Sequence, residues 1–75
     1  MQFYQRLKDV REDADKTQAE IAKVLGLYQT HYSRYERGER KIPVDHLITL
    51  AEYYNTSTDY ILGRTNERKP YPKAK

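Results

Sequence analysis

Residues 17–38 read TQAEIAKVLGLYQTHYSRYERG, and they carry the most specific structural signals in the chain. Thr17 and Glu20 stand three residues apart, which is the spacing of a capping box at the start of a helix. Gly26 can adopt the positive φ that stops a helix sharply. The pattern therefore predicts a helix that begins after Thr17 and ends at about Leu25.

A second helix is predicted to follow at once, from about Tyr28 to Arg37, with Gly38 as its stop. At about 100° per residue, Tyr28, Tyr32 and Tyr35 fall on one side of this helix as an aromatic stripe. We expect the stripe to be buried, so that the opposite side of the helix faces outward. Because so few residues separate the two helices, they must cross at a steep angle.

The opposite side of the second helix carries polar side chains and no acidic residue. An ordinary solvated face usually mixes Glu with Lys, whereas this arc holds amides, hydroxyls and arginines. These side chains can hydrogen-bond base edges in the major groove of DNA. The arc therefore indicates a surface that reads bases, and a plain polar helix face is the alternative interpretation. Its members are Gln29, Thr30, Ser33, Arg34 and Arg37.

The rest of the chain predicts three more helices and no strand. Helical periodicity extends from Gln2 to Asp13, and Pro43 suits the first turn of a helix that ends at about Tyr54. A last short helix is predicted over residues 58–62. The polar stretch at residues 39–42 is expected to be an exposed loop. The fold class is therefore all-α, with five short helices.

The net charge of +3 is distributed unevenly. Residues 34–41 hold four basic and two acidic side chains, whereas residues 42–63 hold three acidic ones and none that is basic. Residues 64–75 hold five basic side chains, one acidic side chain and two prolines, a composition typical of a solvated segment. We predict a domain over residues 1–63, with its motif at 17–38, and a basic flexible tail over the remaining residues, 64–75.

Composition also excludes several classes of function. The chain has 75 residues and no Cys, so it forms one small domain without disulfides or thiolate metal sites. His31 and His46 lack the spacing of metal ligands, so we expect no metal and no cofactor. The sequence holds no run of about 18 apolar residues that could span a membrane. The sequence also lacks the usual signatures of catalysis, namely paired carboxylates, a nucleophile with its base, or a phosphate-binding glycine loop. We therefore do not expect an enzyme.

The stretch at 17–38 resembles the helix-turn-helix of the Cro/lambda-repressor (XRE-type) DNA-binding family, and the similarity extends over residues 3–63. The resemblance implies a compact five-helix lambda-repressor-like DNA-binding domain. It also implies a sequence-specific regulator of transcription, a repressor, that binds double-stranded DNA in the cytoplasm of a bacterium or as a phage-encoded protein. No small-molecule ligand is expected. The matching positions are Gln18, Ile21, Ala22, Leu25, Gly26, Leu27, Tyr35, Glu36 and Gly38.

The resemblance assigns roles to individual positions. The residues implied to read bases are Gln29, Thr30, Ser33 and Arg34. The residues implied to contact phosphates are Gln18, Tyr28, Arg37, Arg40 and Lys41. Arg11 and Glu36 match the positions of a structural ion pair that sets the angle of the second motif helix.

The family commonly forms dimers through its last two helices, which implies a homodimer on a palindromic operator. The apolar residues available for that interface are Leu50, Tyr53, Tyr60, Ile61 and Leu62. Two positions depart from the family pattern. Tyr28 stands where Ser or Thr usually caps a helix, and Tyr32 replaces the usual Ile or Val, so its hydroxyl needs a partner or access to water.

Two alternative functions stay open on the sequence. One is an antitoxin-type autoregulator of a toxin–antitoxin pair, which uses the same fold. The other is a helical protein-interaction module, in which Tyr28, Tyr32 and Tyr35 would form an exposed aromatic patch.

Overall fold

A computed structural model describes residues 3–72, with side chains from residue 5 onward, and those residues form helices without any strand. The prediction of an all-α fold with five helices is confirmed. The predicted bounds agree to within one or two residues, although Gln2 lies outside the described residues. The helices are α1 (Phe3–Asp13), α2 (Gln18–Leu25), α3 (Gln29–Glu36), α4 (Val44–Tyr54) and α5 (Thr58–Ile61).

Local chemistry explains both ends of α2. The Thr17 hydroxyl accepts a hydrogen bond from the Glu20 amide at 3.1 Å, and the Glu20 carboxylate accepts one from the Thr17 amide at 2.9 Å. This is the predicted capping box. Gly26 has a φ of +72°, and the Leu27 amide turns back to donate to the Ala22 carbonyl at 2.8 Å. The chain thereby reverses within a few residues and leads directly into α3.

The core draws on all five helices and on the loop before α4. Ile42 belongs to it, with 8% of its surface exposed, so the expectation of an exposed loop at residues 39–42 is wrong at that residue. Burying an apolar side chain stabilises the folded state even when its neighbours in the sequence are polar. Within residues 3–72, every helix is too short or too polar to cross a membrane. The buried apolar residues are Leu7, Val10, Ile21, Ala22, Tyr32, Tyr35, Ile42, Leu47, Leu50, Ala51 and Ile61.

The aromatic stripe of α3 contains two tyrosines, not three. Tyr32 and Tyr35 are buried and meet edge to face, with their ring centroids 6.3 Å apart. Tyr28 is 83% exposed, because it stands at the N-cap in an extended conformation and the angular spacing of a helix does not apply to it. An exposed patch of all three rings does not exist, which removes the basis of the protein-interaction alternative.

Two residues assigned to a dimer interface are parts of the monomer core. Leu50 and Ile61 are completely buried within the chain, so their assignment to a surface between two copies is wrong. A domain of this size has few apolar residues and needs these two for its own interior. Tyr60 and Leu62 are half-buried, and Tyr53 is exposed.

Residues 64–72 make several contacts with the domain, whereas their composition predicts a flexible tail. The Thr56 hydroxyl donates to the Arg68 carbonyl at 2.7 Å, and Thr56 itself is buried. The Arg68 side chain reaches Asp13 at the end of α1, at 3.2 Å. Composition predicted a solvated segment, but these contacts come from residues far away in the sequence. Residues 73–75 of the predicted tail lie outside the described residues.

Arg6 makes the second set of contacts to this segment. Its guanidinium donates to the carbonyls of Tyr60 and Thr65 and to the Asn66 side chain, at 3.2 to 3.4 Å. It also lies 4.3 Å from the centroid of the Tyr60 ring, and the Arg68 guanidinium lies 5.6 Å from the same ring. Such contacts between a cation and an aromatic face are attractive. The segment is thereby attached to α1 and α5.

Candidate nucleic-acid interface

The outward side of α3 carries Gln29, Thr30 and Arg34, all of which are exposed. Burial of Tyr32 and Tyr35 against the core determines which side of the helix faces outward. These three side chains can hydrogen-bond the edges of bases, as the sequence indicated. The structure therefore brings three of the four residues predicted to read bases onto one exposed surface.

Ser33 does not share that exposure, and its assignment as a base-reading residue is contradicted. Only 7% of its surface is accessible. Its hydroxyl donates to the Thr30 carbonyl at 3.0 Å and accepts a hydrogen bond from Arg37 Nη1 at 3.0 Å. A short hydroxyl side chain often bonds the backbone of its own helix in this way. The longer Arg37 side chain, one turn further on, covers it.

A chain of hydrogen bonds links Gln29 to the interior. Gln29 Nε2 donates to Gln18 Oε1 at 3.3 Å, and Gln18 Nε2 donates to Glu36 Oε1 at 3.0 Å. Gln18 begins α2, so its side chain spans the two helices of the motif. The contact orients the Gln29 amide before any ligand arrives. Such prior ordering lowers the entropy that is lost on binding.

Glu36, at the inner end of this series of hydrogen bonds, also forms an ion pair with Arg11. Its carboxylate accepts two hydrogen bonds from Arg11, from Nε at 2.7 Å and from Nη2 at 3.0 Å. The two side chains are only 11% and 3% exposed. Arg11 also donates to the Lys16 carbonyl at 2.9 Å. The pair thus joins α1 to α3 and to the turn before α2.

The pair keeps Glu36 ionised. Burial alone would raise the pKa of its carboxyl group, but the hydrogen bonds from Arg11 and Gln18 outweigh burial, so the pKa lies below the ordinary value. The hydrogen bond to Glu36 likewise raises the pKa of Arg11. A buried pair with both partners hydrogen-bonded resists any rearrangement that would leave one charge alone.

Two tyrosine hydroxyls near this pair are buried. The Tyr54 hydroxyl has no hydrogen-bond partner among the residues that the structure describes. The Tyr32 hydroxyl lies beside the Glu36 carboxylate, but without a hydrogen bond of good geometry to it. Burial raises the pKa of both hydroxyls, and the negative charge of Glu36 adds to the effect, so both stay neutral. The Tyr32 hydroxyl was expected to need a partner or access to water; it is fully buried, and the polar group beside it is the Glu36 carboxylate.

The loop after α3 supplies positive charge beside the exposed face. The amides of Glu39 and Arg40 both donate to the Arg34 carbonyl, at 2.9 and 3.3 Å, and so close the end of the helix. Arg40 and Lys41 are exposed on this loop. At the other end of α3, Tyr28 stands at the N-cap, where a phenol cannot replace the usual Ser or Thr. The first amides of the helix therefore have no side-chain cap.

Two contacts at this surface were not predicted from the sequence. Arg37 pairs with Glu39, and the Tyr35 hydroxyl lies 3.3 Å from His31 Nε2. His31 and Tyr35 are four residues apart on one helix, a spacing that could have suggested their contact. The pairing of Arg37 with Glu39 depends on the turn at Gly38, and helical spacing does not predict it.

Comparison with known proteins agrees with this arrangement. The helix-turn-helix family profile matches residues 7–61. The HTH-type transcriptional regulator ImmR of Bacillus subtilis is 41% identical over 69 residues, covering 92% of this chain and 54% of ImmR. The cryptic phage CTXphi transcriptional repressor RstR of Vibrio cholerae is 34% identical over 64 residues, covering 85% of this chain and 57% of RstR.

A solved structure of a transcriptional regulator from Listeria innocua has a TM-score of 0.79 at 29% identity, covering 88% of this chain and 62% of that chain. The chain thus spans less than two thirds of the length of each of these relatives. The profile match includes every helix of the motif and most of the chain. The chain therefore belongs to the Cro/C1-type (XRE-type) helix-turn-helix family.

Proposed function

We propose that this chain is a sequence-specific regulator of transcription that binds double-stranded DNA and acts as a repressor. The observation that carries the proposal is the orientation of α3, which buries Tyr32 and Tyr35 and exposes Gln29, Thr30 and Arg34. The names of the relatives support it, since ImmR is a transcriptional regulator and RstR a transcriptional repressor. The proposed activity requires binding without catalysis, on DNA in the bacterial cytoplasm.

In the proposed complex, α3 lies in the major groove and its exposed side chains contact base edges. Glutamine pairs well with adenine and arginine with guanine. Arg40 and Lys41 contact the phosphate backbone beside the groove. Gln18 and Tyr28, together with the uncapped first amides of α3, contact a further phosphate. These contacts position the protein, whereas the contacts from α3 carry the sequence preference.

We further propose that the protein binds as a homodimer on a palindromic operator. A single short helix reads few base pairs, and two copies would contact half-sites about 34 Å apart along one face of the DNA. The dimer surface would use the residues of the predicted set that are not buried in the core, namely Tyr53, Tyr60 and Leu62. Light scattering over a range of protein concentrations tests this, and a strict monomer that binds DNA normally would contradict it.

Selection of bound duplexes from a random-sequence pool tests the function itself. The expected result is one enriched palindromic site, with half-sites about one helical turn apart. Affinity for that site should fall steeply between about 50 and 200 mM salt, as it does when phosphate contacts release counterions. Absence of both enrichment and DNA binding would contradict the proposal. An antitoxin-type autoregulator would present the same face to DNA, so the selection tests DNA reading in that case also.

A further inference from the structure

Arg37 is a basic residue of the interface whose charge is already paired. Its Nε donates to Glu39 Oε2 at 2.7 Å, and its Nη2 donates to Glu39 Oε1 at 3.2 Å. Its Nη1 donates to the Ser33 hydroxyl at 3.0 Å. The guanidinium therefore has contacts on both of its edges. The pair itself is half-exposed, with 54% of the Arg37 side chain and 53% of the Glu39 side chain accessible.

The location of this pair matters for DNA binding. Ser33, which Arg37 contacts, is hydrogen-bonded to the Thr30 carbonyl, so the guanidinium lies along the side of α3 that carries Thr30. Residues 34–41 contain two acidic residues. Glu36 is engaged with Arg11 in the interior, whereas Glu39 is exposed. Glu39 therefore places a negative charge beside the surface that DNA would approach.

The charge of Glu39 has a direct consequence. The hydrogen bond from Arg37 lowers the pKa of Glu39, so the carboxylate is ionised at neutral pH. While Glu39 holds the guanidinium, Arg37 offers no net charge to a phosphate. Exposed ion pairs are weak, so a phosphate held at the right place can take over the guanidinium. A phosphate that is not held in place meets a neutral pair instead.

We propose that Glu39 is a specificity-determining residue, which withholds Arg37 from the DNA backbone until base contacts bring a phosphate into position. The proposal rests on the DNA-binding function proposed above. In a complex at the preferred site, contacts from α3 fix the register, and Arg37 transfers from Glu39 to a phosphate. On random DNA, binding depends on phosphate contacts alone, no register is maintained and Arg37 stays with Glu39. Glu39 thereby lowers the affinity for random DNA more than the affinity for the preferred site.

The test measures the affinity of Glu39→Gln for a random-sequence duplex and for the duplex selected from the random pool. On the random duplex, affinity at about 0.1 M salt should rise by about twofold to fivefold, because an exposed ion pair cannot withhold more affinity than its own small stability. The slope of log affinity against log salt should steepen by about 0.9. On the selected duplex the rise should be smaller, so the ratio between the two affinities should fall.

Two further variants serve as controls. Glu52→Gln removes the same charge from an exposed position on α4, and it should leave the ratio of affinities unchanged. In the double variant Arg37→Ala with Glu39→Gln, affinity for the random duplex should return to the value of Arg37→Ala alone, because the effect acts through Arg37. A double variant that keeps the full increase would overturn the proposal.

The outcomes separate this inference from the proposed function. If the unaltered chain and every variant fail to bind any duplex at about 50 mM salt, both are wrong. If the chain binds its selected site but Glu39→Gln behaves like Glu52→Gln, the inference alone is wrong. An equal rise on both duplexes also overturns it, because the ratio would then be independent of Glu39. A loss of affinity confined to the selected duplex would overturn it as well, because Glu39 would then orient Arg37 for a base contact.

Discussion

Arg34 and Gln29 are the residues on which sequence preference should depend most directly, because both side chains are exposed on the outward side of α3. Replacing either by Ala should cost about 1–3 kcal/mol of binding free energy at the preferred site and relax the preference at one base pair. Affinity for random DNA should change much less after Gln29→Ala, since that residue is uncharged. Titration of labelled duplexes that differ at single positions measures both effects.

The control for Arg34→Ala is Lys8→Ala, which removes one positive charge from an exposed position on α1. A loss of preference in Arg34→Ala but not in Lys8→Ala would separate base contact from overall charge. Equal losses on the preferred site and on random DNA would show that Arg34 binds phosphate instead. That result would leave Gln29 and Thr30 as the base-reading residues of α3.

The Arg11–Glu36 pair should make stability depend on pH. Glu36→Gln removes one charge from a pair whose side chains are only 11% and 3% exposed. At pH 7 the free energy of unfolding should fall by about 3 kcal/mol, because the Arg11 charge loses its partner in a buried position. Urea titrations of both proteins at a series of pH values measure the difference.

The sign of the pH effect follows from the lowered pKa of Glu36. Its contribution is fully present above the ordinary carboxyl pKa of 4.5 and is lost as the pH falls through the lower pKa of the folded state. The difference between Glu36→Gln and the unaltered chain should therefore shrink below pH 4.5. Glu52→Gln, at an exposed position on α4, is the control, because Glu52 contacts neither partner of the pair. A constant difference from pH 7 down to acid pH would argue against the ion pair as its cause.

Individual helices could be predicted well from the sequence, because the signals that start and stop them are local. The capping box of Thr17 and Glu20 and the turn at Gly26 each involve a few consecutive residues. Tyr28 was wrongly expected to be buried and Ser33 to be exposed, because angular spacing alone does not determine burial. Tyr28 stands outside the regular helix, and Ser33 is covered by another side chain. The sequence thus predicted which side of α3 is buried, but not the burial of the residues at the boundary between its two sides.

Tyr32 offers a test of how α3 packs on the core. Its ring is buried, and its hydroxyl lies beside the Glu36 carboxylate without a hydrogen bond of good geometry. A buried hydroxyl without a well-formed hydrogen bond is destabilising, so Tyr32→Phe should raise the free energy of unfolding by about 1 kcal/mol. Tyr53→Phe alters an exposed tyrosine on the next helix and should have little effect. Guanidinium titrations compare the two variants. Destabilisation by Tyr32→Phe would mean that the hydroxyl has a partner in solution.

At the scale of the whole molecule, the sequence predicted the arrangement of the motif but not the position of the last residues. The composition of residues 64–75 is that of a solvated tail. The contacts of residues 64–72 depend on Arg6 and Thr56, which are distant in sequence. The same limit explains Leu50 and Ile61. Both were assigned to a dimer interface because the last two helices hold more apolar residues than a small core was expected to need. The structure shows that the core itself buries them.

Attachment of residues 64–72 should contribute to the stability of the domain. Thr56→Val keeps the shape of a buried side chain but removes the hydroxyl that donates to the Arg68 carbonyl at 2.7 Å. In the full chain this substitution should lower the free energy of unfolding by about 1 kcal/mol, the usual contribution of one hydrogen bond. In a chain that ends at Gly63 the carbonyl is absent, so the same substitution should have no such cost. A double-mutant cycle of urea titrations measures the coupling. If Thr56→Val costs the same in both chains, residues 64–72 do not rest on the domain in solution and behave as the flexible tail that their composition indicates.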